Sequence, residues 1–243
     1  MHAFYFEGSG GVGERVCLPK DEARHAERVL RLSPGDSICV MDGVGRRFRA
    51  VIETMENGVF VRLQEEMDSH EAPVQIVLYQ GVPKADKLDF IIQKITELGA
   101  AALAPVKMER CVVRLEEKDG EKRHERLSRI AREAAKQCGR AMATAVIPAM
   151  SWKHALEDMR ACDLLIVPWE EAQERRMKNV FAGHPDARRI GIVIGPEGGM
   201  SDKEVDAMRS QGADVITLGP RILRTETAAV VSVAMAMSLW GDL

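Results

Sequence analysis

The 243-residue sequence lacks the features that mark membrane and secreted proteins. No apolar run approaches the roughly 20 residues needed to span a bilayer, and residues 1–15 show no signal-peptide pattern. The five cysteines are odd in number and share no metal-ligand spacing, so they fit a reducing cytosol. These absences predict a cytoplasmic protein that has no membrane segment and no metal site.

A strong net charge is also missing. The formal charge is −3, so the charge of the whole protein does not indicate a nucleic-acid partner. Hydrophobic residues make up 46% of the chain and charged residues 29%, as in an ordinary globular protein. The length predicts one or two domains with enough chain to bury a core.

Two turns near the C-terminus share one pattern. The apolar, β-branched run Ile190–Ile194 predicts a buried strand, which breaks at the glycine-rich segment 195–199. Ser201 and Glu204 then form a capping box, which predicts the start of a helix. A second strand–Gly-Pro–helix unit spans residues 215–228. Because ligands bind at the carboxyl ends of strands in open α/β sheets, the two loops predict a binding site.

Residues 73–243 alternate between strand and helix patterns. Strands are predicted at 74–79, 101–106, 143–148, 163–167, 190–194 and 215–218. Helices are predicted at 86–98, 123–138, 151–160, 201–210 and 225–240. This alternation predicts an α/β domain with a mostly parallel sheet and helices on both faces.

Residues 1–70 are dominated by short strand patterns. Strands at 37–41, 46–53 and 58–63 are separated by hairpin turns, and together they predict a small β-barrel. A brief helix is predicted at 21–31. The polar, acidic stretch that ends at Glu71, followed by Pro73, predicts the domain boundary.

Two features of the first domain resemble functional motifs, but the residues around them do not support a binding or catalytic role. Residues 8–13 spell the dinucleotide-binding pattern G-x-G-x-x-G, yet no helix pattern follows directly, so a flexible surface loop is predicted. His25 stands alone on a short helix, where a histidine is more often structural than catalytic.

The glycine-rich segments resemble one family. Gly195-Pro-Glu-Gly-Gly-Met-Ser201 followed by Leu218-Gly-Pro-Arg-Ile-Leu-Arg-Thr-Glu-Thr-Ala228 is similar to the knotted SPOUT-type RNA methyltransferases, and most similar to the branch that methylates ring N3 of a uridine in 16S ribosomal RNA. Residues 80–99, 109–111 and 137–140 resemble the same family, and residues 24–43 resemble its N-terminal PUA-like RNA-binding domain. The alternatives are an unrelated α/β domain, a knotted enzyme acting on a ribose hydroxyl or a guanine, and a non-catalytic ribosome assembly factor.

The resemblance implies that three loops bind S-adenosylmethionine inside a trefoil knot. The third loop follows the strand at 163–167, and residues 168–170 occupy its position here. Glycines without side chains would let backbone groups approach the cofactor closely. The cofactor-binding residues predicted in this way are Pro168, Ile194, Gly195, Pro196, Glu197, Gly198, Gly199, Leu218, Gly219, Arg221, Ile222, Leu223, Thr225, Thr227 and Ala228.

Arg224 and Glu197 are the candidate catalytic residues. Methylation of uridine N3 requires loss of its proton, and the resulting negative charge spreads onto the two flanking carbonyl groups. A fixed cation beside them would lower the barrier, and Arg224 is the candidate for this role. Glu197 could accept the proton, or it could instead bond the amides of the helix that follows.

The predicted RNA-binding residues are basic. Residues 107–140 hold 11 Lys and Arg against 7 Asp and Glu, a pattern that fits either a solvated helix or a surface facing phosphates. The resemblance favours RNA, namely 16S ribosomal RNA or the small ribosomal subunit. The predicted RNA-binding set is Arg24, Arg28, Arg31, Lys84, Lys94, Arg110, Arg129, Arg132 and Arg140.

The helix predicted from Thr225 to Leu239 is apolar on nearly all sides. Such a helix must be buried on several faces, either in the core of one subunit or between two subunits. The resemblance implies a homodimer that forms through the C-terminal domain.

Overall fold

The chain folds into two units, which the sequence divides at 70–73. In the computed structural model, which describes residues 1–84, 86–112 and 117–243 without the side chains of 117–119, the first unit comprises residues 1–71 together with 132–143. The second comprises residues 72–131 and 144–243. The structure thus assigns residues 132–143 to the first unit, whereas the sequence division assigned them to the second.

The first unit contains a five-stranded, mostly antiparallel sheet. Its strands are β1 (Ala3–Tyr5), β2 (Arg15–Cys17), β3 (Ser37–Met41), β4 (Arg47–Thr54) and β5 (Phe60–Met67), in the order β1-β3-β4-β5-β2. Helix α1 (Lys20–Arg24) continues into a π-helical turn over His25–Val29. Side chains alternate between buried and exposed along β4 and β5, so one face of the sheet forms a core around Phe4, Phe48 and Ile52. Strand β2 follows the G-x-G-x-x-G segment where a dinucleotide site would need a helix.

Buried ion pairs explain why residues 132–143 belong to the first unit. The Lys136 ammonium lies 2.9 Å from a carboxylate oxygen of Glu22, which is almost fully buried. Arg140 lies 2.8 Å from Glu71, and the Tyr5 hydroxyl donates to the Arg140 carbonyl at 3.3 Å. A charge removed from water must be paired, so these contacts bind the segment to the sheet.

The second unit is built on a parallel sheet. Its strands are β6 (Gln75–Gly81), β7 (Ala102–Lys107), β8 (Ala145–Val146), β9 (Met150–Ser151), β10 (Leu164–Pro168), β11 (Arg189–Ile194) and β12 (Asp214–Ile216). The strand order is β12-β10-β11-β6-β7-β8, and β9 also pairs with β7. All of these pairs are parallel. The central strands are apolar along their length because both faces of the sheet are covered. The predicted fold class is confirmed.

Helices follow most strands of this sheet. They are α2 (Lys87–Glu97), α3 (Glu117–Cys138), α4 (Trp152–Asp158), α5 (Met177–Gly183), α6 (Asp202–Arg209) and α7 (Thr225–Trp240). Helix α3 begins six residues before the predicted start, and α5 has no counterpart among the predicted helices. The predicted capping box is present, since the Ser201 amide donates to the Glu204 carboxylate at 2.9 Å.

Candidate functional site

A cavity of about 760 Å³ lies at the carboxyl ends of β10, β11 and β12. The loops that follow these three strands form its walls, together with the start of α7. Its volume lies within the roughly 300–1,000 Å³ of typical small-molecule sites. The cavity is lined by both candidate catalytic residues, Arg224 and Glu197, and by every predicted cofactor-binding residue except Gly198 and Thr227.

The structure explains why Gly198 is not part of the cavity wall. A Cβ atom on Gly198 would lie 3.0 Å from the Arg110 Cβ and 3.1 Å from the Arg110 carbonyl oxygen. The glycine therefore permits close packing of two backbone segments rather than access for a ligand. Thr227 is exposed on the first turn of α7 and also lies outside the lining.

The first loop, residues 195–200, is fixed by tight packing. A Cβ atom on Gly81, at the end of β6, would lie 2.5 Å from Pro196 Cδ and 2.7 Å from the Pro196 nitrogen. The Thr225 hydroxyl donates to the Gly195 carbonyl at 2.7 Å and accepts from the fully buried Gln80 amide at 2.9 Å. One buried network thus joins the first loop to the start of α7.

The third loop extends further than the sequence indicated. Trp169 and Glu170 line the cavity together with Pro168, and beyond the predicted 168–170 the loop also contributes Ala172, Gln173 and Arg176. The loop is held by the amide of Trp169, which donates to the Ile216 carbonyl at 3.0 Å, and by an Arg175–Asp214 ion pair of 2.7 Å. Gln173 and Arg176 were not predicted, because a run of polar residues in a loop is typical of a solvated surface.

The environment of Glu197 opposes a role in accepting a proton. Burial alone raises the pKa of this carboxyl, but amide hydrogen bonds and the Lys87 ammonium outweigh it, so the pKa is lowered from its ordinary value. The Lys84 amide donates to it at 3.0 Å and Lys87 Nζ lies 3.1 Å away. A more acidic carboxyl is a weaker base, and these oxygens are already engaged. Lys87 also lines the cavity and was missed in the sequence.

The second loop, residues 218–224, presents its side chains outward. Ile222 is 88% exposed and Arg224 is also exposed, although both border the cavity. Arg224 occupies the N-cap position of α7 with an extended backbone, so its side chain leaves the helix at its first turn. A ligand in the cavity would be flanked by an apolar group and a cation.

The predicted RNA-binding residues occur in both units. In the first unit, Arg24, Arg28, Arg31 and Arg132 are exposed; in the second, Lys84, Arg110 and Arg129 are exposed and Lys94 pairs with Glu97 at 2.9 Å.

The prediction that Arg140 binds RNA is wrong. Its side chain is almost fully buried and its guanidinium is paired with Glu71, so a phosphate cannot reach it without breaking that pair. Two other cations of the predicted basic helix are also committed to carboxylates: Lys136 to Glu22, and Arg126 to Asp86 at 3.0 Å. The basic surface of α3 is therefore smaller than its composition indicates.

Across residues 1–84, 86–112 and 117–243, no helix has the length and apolar character required to cross a bilayer. Within the same ranges, no group of three or more His, Cys, Asp and Glu side chains could hold a metal ion.

Comparison with known proteins identifies the class that this fold and cavity define. A family described as "RNA methyltransferase domain" matches residues 70–237, and one described as "RNA methyltransferase PUA domain" matches residues 18–64. The chain belongs to the RNA methyltransferase family.

Several relatives carry one more specific name. The chain is 34% identical over 220 residues to the "Ribosomal RNA small subunit methyltransferase E" of Bacillus subtilis, covering 88% of this chain and 86% of the relative. The protein of the same name from Mycobacterium bovis is 31% identical, with 98% and 92% coverage. A crystal structure of that enzyme from Neisseria gonorrhoeae, bound to S-adenosyl methionine, is 34% identical with a TM-score of 0.89, covering 100% of this chain and 99% of that one.

Proposed function

We propose that this protein transfers a methyl group from S-adenosylmethionine to ring N3 of a uridine in the 16S ribosomal RNA of the small ribosomal subunit. The observation that carries the proposal is the cavity at the ends of three parallel strands, with the exposed Arg224 at its edge. The names of the relatives support the ribosomal RNA substrate. A ribosomal substrate would make the cytoplasm the place of the reaction.

The residues of the cavity fit the proposed cofactor. The backbone of Gly195, Gly199 and Gly219 borders a space of suitable volume. Trp169 borders the cavity, and its buried indole N–H has no acceptor among the described residues. S-adenosylmethionine supplies a methyl carbon activated by a positive sulfur, so the protein's main tasks are to hold the cofactor and to position the base.

We assign the stabilisation of the uridine anion to Arg224. Loss of the N3 proton spreads negative charge onto two carbonyl oxygens, and a guanidinium can donate to such oxygens while its charge favours the anion. The base must be unpaired and turned out of any helix, because a Watson–Crick pair covers N3. The lowered pKa of Glu197 makes this carboxylate a weak acceptor for that proton.

We further propose that the first unit is an RNA-binding domain and that exposed cations of both units contact phosphates. In the first unit these are Arg24, Arg28, Arg31 and Arg132, and in the second they are Lys84, Arg110 and Arg129. The variant with Arg129→Glu and Arg132→Glu should bind small-subunit RNA more weakly, with a flatter salt dependence and unchanged S-adenosylmethionine affinity. An unchanged salt slope would mean that this part of α3 is only a solvated surface.

A homodimer through the C-terminal domain is also proposed. One side of α7 is buried in the protein, while Val230, Val231, Ala234, Met235 and Leu239 remain partly exposed. A row of apolar side chains on one helix is suited to burial against a second copy. A monomeric mass in light scattering at micromolar concentration would contradict the proposal.

The decisive experiment is methyl transfer to small subunits from cells that lack this gene. Protein and labelled S-adenosylmethionine are added, and the RNA is digested and analysed by mass spectrometry. We expect one labelled uridine with the methyl group on the base. A methyl on ribose or guanine would favour a related reaction, and cofactor binding without transfer would favour an assembly factor.

A further inference from the structure

Lys87 joins two carboxylates that come from different walls of the cavity. It is the first residue of α2, and its Nζ lies 3.1 Å from Glu197 in the first loop and 3.0 Å from Glu226 in the first turn of α7. The interaction with Glu226 is the largest of the causes that raise the pKa of Lys87. The three side chains are half-buried, so this is a defined cluster of charges rather than a chance surface contact.

Glu226 lies close enough to Arg224 in the sequence that the cation with which it pairs affects the charge available at Arg224. It lies two residues after Arg224, and the Arg224 charge is among the interactions that lower the pKa of this carboxyl. Among the residues that the structure describes, Arg224 nevertheless forms no ion pair; Glu226 pairs with Lys87 instead. A planar guanidinium can bind a carboxylate in a bidentate manner, which is a stronger pair than lysine forms. Glu226 is therefore a latent competitor for Arg224.

We propose that Lys87 is a positioning residue that holds Glu226 away from Arg224 and so keeps the guanidinium available for the uridine anion. This inference rests on the proposed function of Arg224. If Lys87 is removed, the carboxylates of Glu197 and Glu226 leave an excess of negative charge. The Arg224 charge already acts on Glu226, so Arg224 is the cation that can compensate it. An Arg224 neutralised by Glu226 would stabilise the developing anion poorly. Lys87 acts in this scheme without touching the reacting atoms.

The test is a mutant cycle measured by single-turnover methylation of small subunits at saturating S-adenosylmethionine. Lys87→Gln should lower the rate by about tenfold, part of the hundredfold or more that loss of a charge-stabilising contact typically costs. The Lys87→Gln, Glu226→Gln double variant should recover most of that loss, because the competing carboxylate is gone. Lys203→Gln, an exposed lysine on α6 that makes the same charge change, should retain the wild-type rate.

Rescue separates the positioning role from a merely structural one, since a packing defect at Lys87 would be worsened by a second substitution. A wild-type rate for Lys87→Gln, or a double variant as slow as Lys87→Gln, would overturn the inference. Arg224→Ala is measured alongside, and adding Lys87→Gln to it should cause no further loss if Lys87 acts through Arg224. If Arg224→Ala itself is fully active, the role of Arg224 fails; if it is slow and no rescue occurs, only the role of Lys87 fails.

Discussion

The two Gly-Pro loops that border the cavity are built in opposite ways. The first, residues 195–200, is packed so closely that a Cβ atom on Gly195 would lie 3.0 Å from the Gly199 carbonyl carbon. In the second, residues 218–224, Ile222 is 88% exposed and a Cβ atom on Gly219 would meet nothing within 4 Å. The shape of the first loop is therefore set by the protein itself. The second loop is less closely packed, and it carries Arg224, the residue proposed to act in the reaction.

The largest effect is expected from Arg224, in the exposed loop. Arg224→Ala should lower the single-turnover rate by about a hundredfold or more, because the contact is strongest in the transition state. S-adenosylmethionine affinity should be nearly intact, and Arg224→Lys should restore only part of the rate because it lacks the planar fork. Full recovery at saturating RNA and cofactor would instead mean that Arg224 only binds ligands, and the loops would then differ less than we propose.

A substitution beneath the packed loop should act on stability. Gly81→Ala would place Cβ 2.5 Å from Pro196 Cδ, and overpacking of this kind costs about 1–3 kcal/mol of the free energy of unfolding. We expect a lower midpoint in thermal unfolding together with weaker S-adenosylmethionine binding in calorimetry. Gly183→Ala is the matched control, because its Cβ meets nothing within 4 Å and its φ is not in the left-handed region. An unchanged midpoint for Gly81→Ala would show that the first loop can shift to accommodate the added methyl group at little cost in stability.

A smaller effect is expected from the corresponding change in the exposed loop. Gly219 has a φ of +114°, which a side chain disfavours at a cost of order 1 kcal/mol, yet Gly219→Ala creates no clash. The free loop can relax, so the strain should return mainly on binding, as an approximately fivefold loss of cofactor affinity. A drop in the unfolding midpoint as large as that of Gly81→Ala would remove the contrast between the loops.

The smallest effect is expected on the pH dependence of stability in acid. The carboxyls of Glu197 and Glu226 have a pKa below the ordinary 4.5, so their pairs with Lys87 contribute stability above pH 4.5 that is lost as the pH falls through the folded-state pKa. The contribution should be small because the groups are partly exposed. Lys87→Gln should show a shallower fall in unfolding midpoint between about pH 6 and about pH 3 than the wild type. An identical fall would mean that the cluster contributes nothing to acid sensitivity.

Sequence patterns predicted the parallel sheet well because its strands are short apolar runs between clear breaks. The same patterns did not predict features that depend on contacts between residues far apart in the sequence. Nothing in the spacing of Arg140 reveals that Glu71 neutralises it, and α5 was missed because its seven residues offer only one apolar turn. The knot that the family resemblance implies has no signature in residue spacing at all, because threading is a property of the whole path and not of local periodicity.

The motifs and the family resemblance located the cavity and its three loops, but not the full extent of the third loop or the charges around the site. Lys87 is separated by more than a hundred positions from Glu197, and no local pattern joins a lysine at the start of one helix to carboxylates in two distant loops. Residues 171–176 belong to an irregular loop, so they lack the periodicity that identifies a strand or a helix. Their place at the site follows only from the pairing of β10 with β11 and β12.

The strand order also decides when, during synthesis, the active cavity can exist. Strand β6 pairs along its length with β11, from Gln75–Arg189 to Gln80–Ile194, and β12 with α7 completes the walls last. A nascent chain that has emerged only to α5 holds β6 and β10 without the strand that lies between them. Because β11 separates β10 from β6 in the sheet, a chain without β11 and β12 cannot assemble the three loops. Competence for the reaction is therefore acquired only when the last helix has been made.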